Sequence, residues 1–126
     1  MLPLEERWKL PPEEQDIEVT LYYLTREEGG RKKPAFSGYR PQFHYSGRDW
    51  DAVHSYPDVE FVQPGQSARA YLSFLSPECH VGRLQPGTEF LVREGQRVVA
   101  RGVVTRILNL EESAKRIGRD PAGCWD

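Results

Sequence analysis

The chain of 126 residues contains no long apolar run and only two cysteines. No segment approaches the roughly 20 apolar residues that a membrane-spanning helix needs. The opening MLPLEERWKL lacks the basic, apolar and small-residue regions of a secretory signal. Cys79 and Cys124 lie far apart in sequence and suggest no disulfide framework. We therefore expect a cytoplasmic protein with reduced thiols and no contact with a membrane.

Patterns typical of catalysis, nucleotide binding and metal binding are also missing. GRLQPGT, residues 82–88, has glycines at the spacing of a phosphate-binding loop, but Thr88 stands where that motif needs a lysine. Cys79 and His80 are adjacent, so in a strand they would point to opposite faces. The remaining histidines do not supply the spaced ligand pairs of a structural zinc site. We predict no enzyme, no metal site, no cofactor and no bound nucleotide.

Charge is nearly balanced over the whole chain but is unevenly distributed along it. The net charge is −2, yet residues 1–18 hold six acidic and two basic residues, which leaves residues 19–126 at +2. An acidic arm therefore precedes a mildly basic body. The arm, residues 1–16, contains prolines, and Trp8 and Leu10 are its candidate anchors on the body.

Alternating apolar and polar residues predict a small all-β domain between this arm and the C-terminus. Alternation with period two is typical of strands that bury one face. The segments that carry strand patterns are IEVTLYYL (17–24), GYRPQFHYS (38–46), DVEFV (58–62), SARAYLSFLS (67–76) and the hairpin EFLVREGQRVVARGVV (89–104). SGRDWDAVHSYP (46–57) is predicted to be a polar connection. About six short strands separated by turns favour an antiparallel barrel or sandwich.

A single short helix is predicted after the last strand. In NLEESAKRIG, residues 109–118, Asn109 is a candidate N-cap, Glu112 completes a capping box and Gly118 ends the helix. A helix of this length is marginal in isolation, so we expect it to pack on the barrel. Within the preceding strand, Gly102 indicates a bulge or a close backbone approach.

Basic residues accumulate beside aromatic residues at two places in the chain. They are Arg31, Lys32, Lys33 and Arg40 near Tyr39 and Phe43, and Arg93, Arg97, Arg101 and Arg106 in the last hairpin. Even spacing along a strand predicts a stripe formed by Arg93, Arg97 and Arg101, provided that the turn keeps the register. Such a surface suits phosphate contacts and RNA shape recognition. The alternative is a solvated outer face balanced by nearby glutamates, and the residues alone favour it.

Three separated motifs make the chain resemble the C-terminal, third domain of elongation factor Tu. They are EEGGRKKPAFSGYRPQF (27–43), VQPGQ (62–66) and REGQRVVARGVVTRIL (93–108), in the family's order. The resemblance covers about residues 17–108 and implies a six-stranded antiparallel barrel with Greek-key connections. We therefore expect an acidic arm (1–16), the barrel (17–108) and a short helix with a tail (109–126). We also expect a stand-alone protein without the family's GTPase domain, and hence without GTP binding.

The resemblance also implies a set of binding residues. In the full factor this barrel contacts the T stem of aminoacyl-tRNA, the GTPase domain and the nucleotide-exchange partner. The family positions that contact tRNA correspond to Arg31, Arg40, Gln42, Glu94 and Gly95. The basic residues that extend this expected RNA- or partner-binding surface are Lys32, Lys33, Arg93 and Arg97.

Two positions depart from the family pattern and influence the functional prediction. Ser76 stands where the family tends to carry a lysine before proline, and GRDWDAVHSYP (47–57) replaces a threonine-rich loop. One lost lysine removes one phosphate contact. The slope of the logarithm of RNA affinity against the logarithm of salt concentration should therefore be shallower by about one unit. Together with the negative net charge, these changes favour a non-enzymatic protein-interaction module linked to translation. The alternative is a tRNA- or structured-RNA-binding module that uses Arg31, Arg40 and Gln42. The sequence does not predict the oligomeric state.

Overall fold

Six strands close into an antiparallel barrel in the computed structural model, which describes residues 2–126. The strands in chain order are β1 (Ile17–Tyr23), β2 (Ala35–Phe36), β3 (Gln42–Tyr45), β4 (Arg48–Ser55), β5 (Phe61–Val62), β6 (Ser67–Phe74), β7 (Glu89–Glu94) and β8 (Arg97–Ile107), followed by helix α1 (Leu110–Ile117). The barrel order is β1-β6-β4-β3-β7-β8, and β8 pairs back onto β1. β1 lies beside β6 after three successive strands, which is a Greek-key arrangement. The predicted all-β barrel with a short C-terminal helix is confirmed.

The inward side chains of these strands fill the barrel. In β1, the alternate residues Ile17, Val19 and Leu21 are completely buried, as the period of two predicts. Phe43 lies at the centre, with its ring centroid 4.2 Å from that of Phe90. Burial of each large apolar side chain contributes about 1.5–3 kcal/mol. The core is therefore held by the residues that the alternation placed on the inner face.

Strand β4 occupies the segment that the sequence analysis predicted to be a polar connection, so that prediction is wrong. Ser46 (φ 49°) and Gly47 (φ 79°) both have left-handed backbone conformations and form the two-residue turn that joins β3 to β4. The second half of β4, with Ala52, Val53 and His54, is buried. β6 pairs with this half, and the N-terminal segment packs on the strand.

The N-terminal segment packs on the barrel as two short 3-10 turns, Leu4–Lys9 and Pro12–Glu14. The first turn contacts β4 and β6, and Leu4 is buried with 5% of its surface exposed. The half-buried ring of Trp8 lies against Gly38, where an added Cβ would come within 3.2 Å of the indole nitrogen. Trp8 is thus in contact with the barrel, and Leu4 is an anchor that the sequence analysis did not name.

Helix α1 follows β8 and leans on the barrel through Leu110, which is 2% exposed. Gly118 takes the left-handed conformation (φ 70°) and its N–H donates to the carbonyl of Ala114 at 3.0 Å, as expected of a glycine that ends a helix. The side chain of Asn109 makes no capping hydrogen bond. The predicted capping box is therefore absent, although the helix itself is present. None of the helices in residues 2–126 has the length and apolar character that crossing a membrane requires.

Cys79 and Cys124 are joined by a disulfide bond, which contradicts the prediction of reduced thiols. Their Cα atoms lie 5.5 Å apart although 45 residues separate them in sequence. The pairing arises because α1 brings the chain back to the 3-10 turn Pro77–Cys79, which it contacts. Sequence spacing alone does not contain this information.

Candidate functional site

The loop between β1 and β2 is shaped by its two glycines. Gly29 has φ +93°, which favours glycine. A Cβ on Gly30 would lie 2.2 Å from the carbonyl oxygen of Leu24, so no other residue fits there. The N–H of Gly30 donates to the carbonyl of Thr25 at 2.8 Å. This tight return of the chain positions the next residue, Arg31, at the rim of the barrel.

Arg31 is held by two residues from other parts of the chain. Its guanidinium donates to the carboxylate of Glu94 in β7, and the hydroxyl of Tyr39 donates to the same carboxylate oxygen. The guanidinium carbon also lies 4.3 Å from the ring centroid of Tyr39. The side chains of Arg31 and Glu94 are 20% and 30% exposed. Arg31 is therefore oriented within the protein, and part of its charge is already neutralised.

The charges in this cluster are stabilised by their neighbours. Burial raises the pKa of Glu94, but the hydrogen bond from Tyr39 and the charge of Arg31 outweigh it and hold that pKa below its usual value. Burial lowers the pKa of Arg31, but Tyr39 and Glu94 together raise it by more. The pKa of Arg31 is therefore above its usual value. Burial and the bond to Glu94 raise the pKa of Tyr39. At neutral pH the cluster holds one cation, one anion and a neutral phenol.

Beside this cluster lies a shallow depression of about 300 Å³, which we call the basic groove; its lining residues are Arg31, Lys32, Lys33, Glu94 and Arg97. Lys32 and Lys33 are exposed. Arg97 donates to Glu94 at 3.2 Å and keeps 52% of its side chain exposed. A neighbouring depression shares Lys32 and Arg97 and adds Arg26 and Glu27. The surface here is positive, because the basic residues outnumber the two carboxylates.

The other predicted site residues lie around the groove in different settings. Gly95 is exposed in the β7–β8 turn, and Arg40 is exposed just before β3. Gln42 in β3 is opposite Arg93 in β7. Gln42 Oε1 and Arg93 Nε are buried atoms without a hydrogen-bond partner among residues 2–126. The structure therefore brings Arg31, Lys32, Lys33, Glu94 and Arg97 into one groove and places Gln42 with Arg93 on the β3–β7 face.

Arg93, Arg97 and Arg101 do not form the stripe that their spacing predicted. The pairing register of β7 and β8 shifts between Val92 and Arg93, and the three side chains have different partners. Nη1 of Arg93 lies 3.1 Å from Nδ1 of His44, whereas Arg97 contacts Glu94. Arg101 lies over the ring of a β1 tyrosine, with 5.1 Å between guanidinium carbon and centroid. The condition that the turn preserves the register is not met.

An exposed apolar pair on the two-stranded β2–β5 sheet was missed by the sequence analysis. Phe36 in β2 and Phe61 in β5 are 50% and 39% exposed, with their ring centroids 5.5 Å apart. Val59 beside them is 46% exposed. Since adjacent residues of a strand point to opposite faces, the apolar pairs AF and FV each had to leave one side chain outside.

The sequence from residue 11 to residue 108 matches the model of the family described as the Elongation factor Tu C-terminal domain. The chain belongs to this family. Membership supports a translation-related binding module built on a non-catalytic barrel, which confirms the resemblance drawn from the three motifs.

Beneath the basic groove, this elongation factor Tu C-terminal domain contains a buried polar network. The hydroxyls of Tyr23 and Tyr56 are hydrogen-bonded, and Tyr56 lies 3.1 Å from Nδ1 of His54. The ring of Tyr39 in turn contacts His54, with centroids 5.6 Å apart. Burial lowers the pKa of His54 to about 3, so the imidazole is neutral. Tyr23, His54 and Tyr56 are at most 4% exposed, and the network supports the groove from inside.

One group of metal-ligand types is found within residues 2–126, formed by Glu78, Cys79 and Cys124, with their ligand atoms within 4.8 Å of one another. The two sulfurs are bonded to each other, whereas metals bind the thiolate form. The carboxylate of Glu78 is paired with Arg119 at 3.0 Å. This group is therefore a structural clasp rather than a metal centre in the oxidised protein.

Proposed function

We propose that this domain is a non-enzymatic docking module that binds a partner protein of the translation machinery through the basic groove and the Phe36–Phe61 pair. The observation that carries the proposal is the combination of an exposed apolar pair with a positive groove. Exposed apolar clusters rimmed by charge are typical of protein-binding sites. The complementary surface on the partner is apolar at its centre and acidic at its rim. A cytoplasmic location follows, because translation takes place there.

The two halves of this surface are connected by the chain itself. Lys33 precedes β2 by two residues, and Arg31 donates to the carbonyl of Pro34 at 3.4 Å. At the other side, Gln63 and Pro64, which follow β5, line a depression together with Lys32. The groove residues and the apolar pair are therefore neighbours along the chain, which supports a shared binding surface.

The charges of the groove favour a protein partner over an RNA. Glu94 engages both Arg31 and Arg97, so two of the four basic side chains already have a carboxylate partner. An exposed phenylalanine pair is not needed for phosphate contacts, which basic side chains and backbone amides supply. The net charge of −2 also disfavours nonspecific attraction to a polyanion.

Binding of tRNA or another structured RNA is the second candidate. Lys32 and Lys33 are exposed at the centre of the groove, and Arg40 is exposed nearby. Aromatic rings next to such cations suit RNA as well as protein. In this reading the affinity would depend on the phosphate contacts and would fall steeply with salt.

Two double variants separate the candidates in capture experiments on the full chain, with and without ribonuclease and at two salt concentrations. Lys32→Glu with Lys33→Glu reverses the groove charge, and Phe36→Ser with Phe61→Ser removes the apolar pair. A protein partner predicts that each variant weakens binding about tenfold or more and that ribonuclease has no effect. Lys9→Glu and Ile107→Ser are controls on other exposed positions.

The outcomes are distinct. RNA binding predicts that charge reversal abolishes capture, that the phenylalanine variant retains it, and that ribonuclease or high salt releases the bound material. Unchanged capture by both double variants would exclude this face as the binding surface.

A further inference from the structure

The C-terminal segment covers an aromatic surface of the barrel. We call residues 119–126 the cover, and Tyr45, Trp50 and His80 the aromatic floor. The ring of Trp125 in the cover lies 5.2 Å from that of Tyr45 and 4.9 Å from that of Trp50, measured between centroids. Its indole N–H donates to the carbonyl of Cys79 at 2.8 Å. The cover is thus seated on the floor by one large ring.

Three arginines add noncovalent contacts at the surface. The guanidinium carbon of Arg83 lies 4.0 Å from the ring centroid of Trp125. Arg48 donates to the carbonyl of Cys124 at 2.7 Å, and Arg119 donates to Glu78 at 3.0 Å. The Arg48 contact is partly buried, and the Glu78 side chain that Arg119 pairs with is 9% exposed. The bond between Cys79 and Cys124 is a covalent cross-link between cover and barrel, in addition to the chain itself.

The floor carries two polar atoms that the closed cover leaves without partners. Trp50 Nε1 and His80 Nε2 are buried and have no hydrogen-bond partner within residues 2–126. A buried polar atom without a partner opposes the state that buries it. Access of water to the floor would provide those partners. Hydrogen bonding alone therefore does not account for the closed cover. The disulfide is a further restraint that holds the cover closed.

We propose that Cys79–Cys124 is a thiol–disulfide exchange site and that its reduction by a dithiol opens the cover and bares the aromatic floor. Cys124 is half-buried, whereas Cys79 is 8% exposed, so we expect the reductant to attack the sulfur of Cys124. A thiolate of the reductant attacks that sulfur and the Cys79 sulfur leaves as a thiolate. The second thiol of the reductant then displaces Cys124. Two electrons and two protons pass from the dithiol to the protein, and the reductant becomes a disulfide.

Loss of the bond matters because the cover is short. Residues 119–126 contain no helix or strand, so without the disulfide they are held by noncovalent contacts of Trp125, Arg48 and Arg119. A tethered segment with few anchors is in rapid exchange with open forms. Reduction should therefore convert a closed cover into one that is open for a substantial fraction of the time.

The test compares the oxidised full chain with the same protein in dithiothreitol, by hydrogen exchange of residues 119–126 and by tryptophan fluorescence. We expect exchange in the cover to accelerate about tenfold or more on reduction, with a red shift of the emission as Trp50 and Trp125 meet water. Oxidised glutathione should restore the original signals. The Cys79→Ala, Cys124→Ala double variant should resemble the reduced protein and should not respond to dithiothreitol.

Three results would overturn the proposal. In the first, the cover stays equally protected after reduction is confirmed by thiol labelling. In the second, reduction unfolds the barrel, seen as loss of far-ultraviolet circular dichroism, so that the disulfide is a staple for the whole fold. In the third, the purified protein carries free thiols that oxidised glutathione does not join.

Discussion

Glu94 links three other side chains of the candidate site. Its carboxylate accepts hydrogen bonds from Arg31, Tyr39 and Arg97. This acidic residue therefore fixes the geometry of a surface that is basic overall. A substitution at this position should alter stability as well as binding.

Glu94→Gln should lower the free energy of unfolding by about 1–3 kcal/mol, because it leaves a largely buried Arg31 without its counter-charge. Urea denaturation measures this change. Glu89→Gln is the matched control: it lies in the same strand and is exposed, so its effect should stay within about 0.5 kcal/mol. Equal effects of the two substitutions would show that the Glu94 carboxylate is not specifically engaged.

Two buried histidines make the stability of the protein depend on pH. Burial lowers the pKa of His54 to about 3, and burial with the charge of Arg83 lowers the pKa of His80 to about 3. An unfolded histidine titrates near 6.5, so below that pH the unfolded chain binds more protons than the folded one. The free energy of unfolding should therefore fall as pH decreases from about 7 to 5, by up to about 1.4 kcal/mol per pH unit for each histidine.

His54→Phe isolates one of these two contributions. The slope of unfolding free energy against pH in this window should be smaller than in the parent protein, by up to about 1.4 kcal/mol per pH unit. This difference corresponds to one bound proton. Urea titrations at several pH values give the slope, and a difference between two slopes cancels the titration of other groups. Identical slopes would mean that His54 is not buried in its neutral form.

Between elements, the contact of β7 with β8 depends on the lack of a side chain at Gly102. Gly102 is paired with Phe90, and a Cβ added to Gly102 would lie 2.3 Å from the end of the Phe90 ring. The residue pattern predicted a bulge or a close backbone approach at Gly102, and the structure contains the close approach. The phenylalanine fills space that a larger residue at position 102 would occupy.

Gly102→Ala should therefore destabilise the hairpin by about 1–3 kcal/mol through overpacking. Phe90→Leu alone should also be destabilising, because it removes core volume. In the double variant the leucine side chain leaves room for the methyl group of the alanine. The double variant should therefore lose less unfolding free energy than the sum of the losses in the two single variants. Thermal or urea unfolding of the four proteins measures the coupling. Strict additivity would contradict the packing argument.

The elements that the sequence predicted well are those in which hydrophobic periodicity and burial coincide. β1 alternates apolar and polar residues, and its inward residues are buried. β4 was missed because three of the four residues in its first half are charged, while its pairing depends on the distant strand β6. Within the candidate site, Arg31 and Glu94 came from family motifs. Neither their mutual pairing nor the Phe36–Phe61 contact was predictable, since both join residues far apart in sequence.

At the scale of the whole molecule, Gln15 and Asp16 join the N-terminal segment, the barrel and α1. The side-chain amide of Gln15 donates to the carbonyls of Arg7 and Leu10, and its oxygen accepts from Ser73. Asp16 accepts from the backbone of β6 and from the hydroxyl of a serine in α1. The N-terminal segment and α1 are thus connected to the barrel by two adjacent residues, Gln15 and Asp16.

Gln15→Ala should loosen the N-terminal segment and lower the free energy of unfolding by about 2–4 kcal/mol, because Ser73 and two carbonyls lose buried partners. Hydrogen exchange of residues 4–14 should accelerate at the same time. Gln63→Ala, at an exposed glutamine, serves as control. If exchange in residues 4–14 were unchanged, the segment would be held by its other contacts, which include Leu4, Trp8 and the hydrogen bond from Arg7 to the carbonyl of Phe74.

Barrel closure has a consequence for how copies of this protein meet at high concentration. Each of the six barrel strands has a neighbour on both sides, so none offers a free row of amides and carbonyls to an incoming strand. The two-residue strands β2 and β5 are too short to template a fibril. Self-association by edge-to-edge growth is therefore blocked by the backbone itself, and the solution should remain clear in concentrated samples where open sheets would gel.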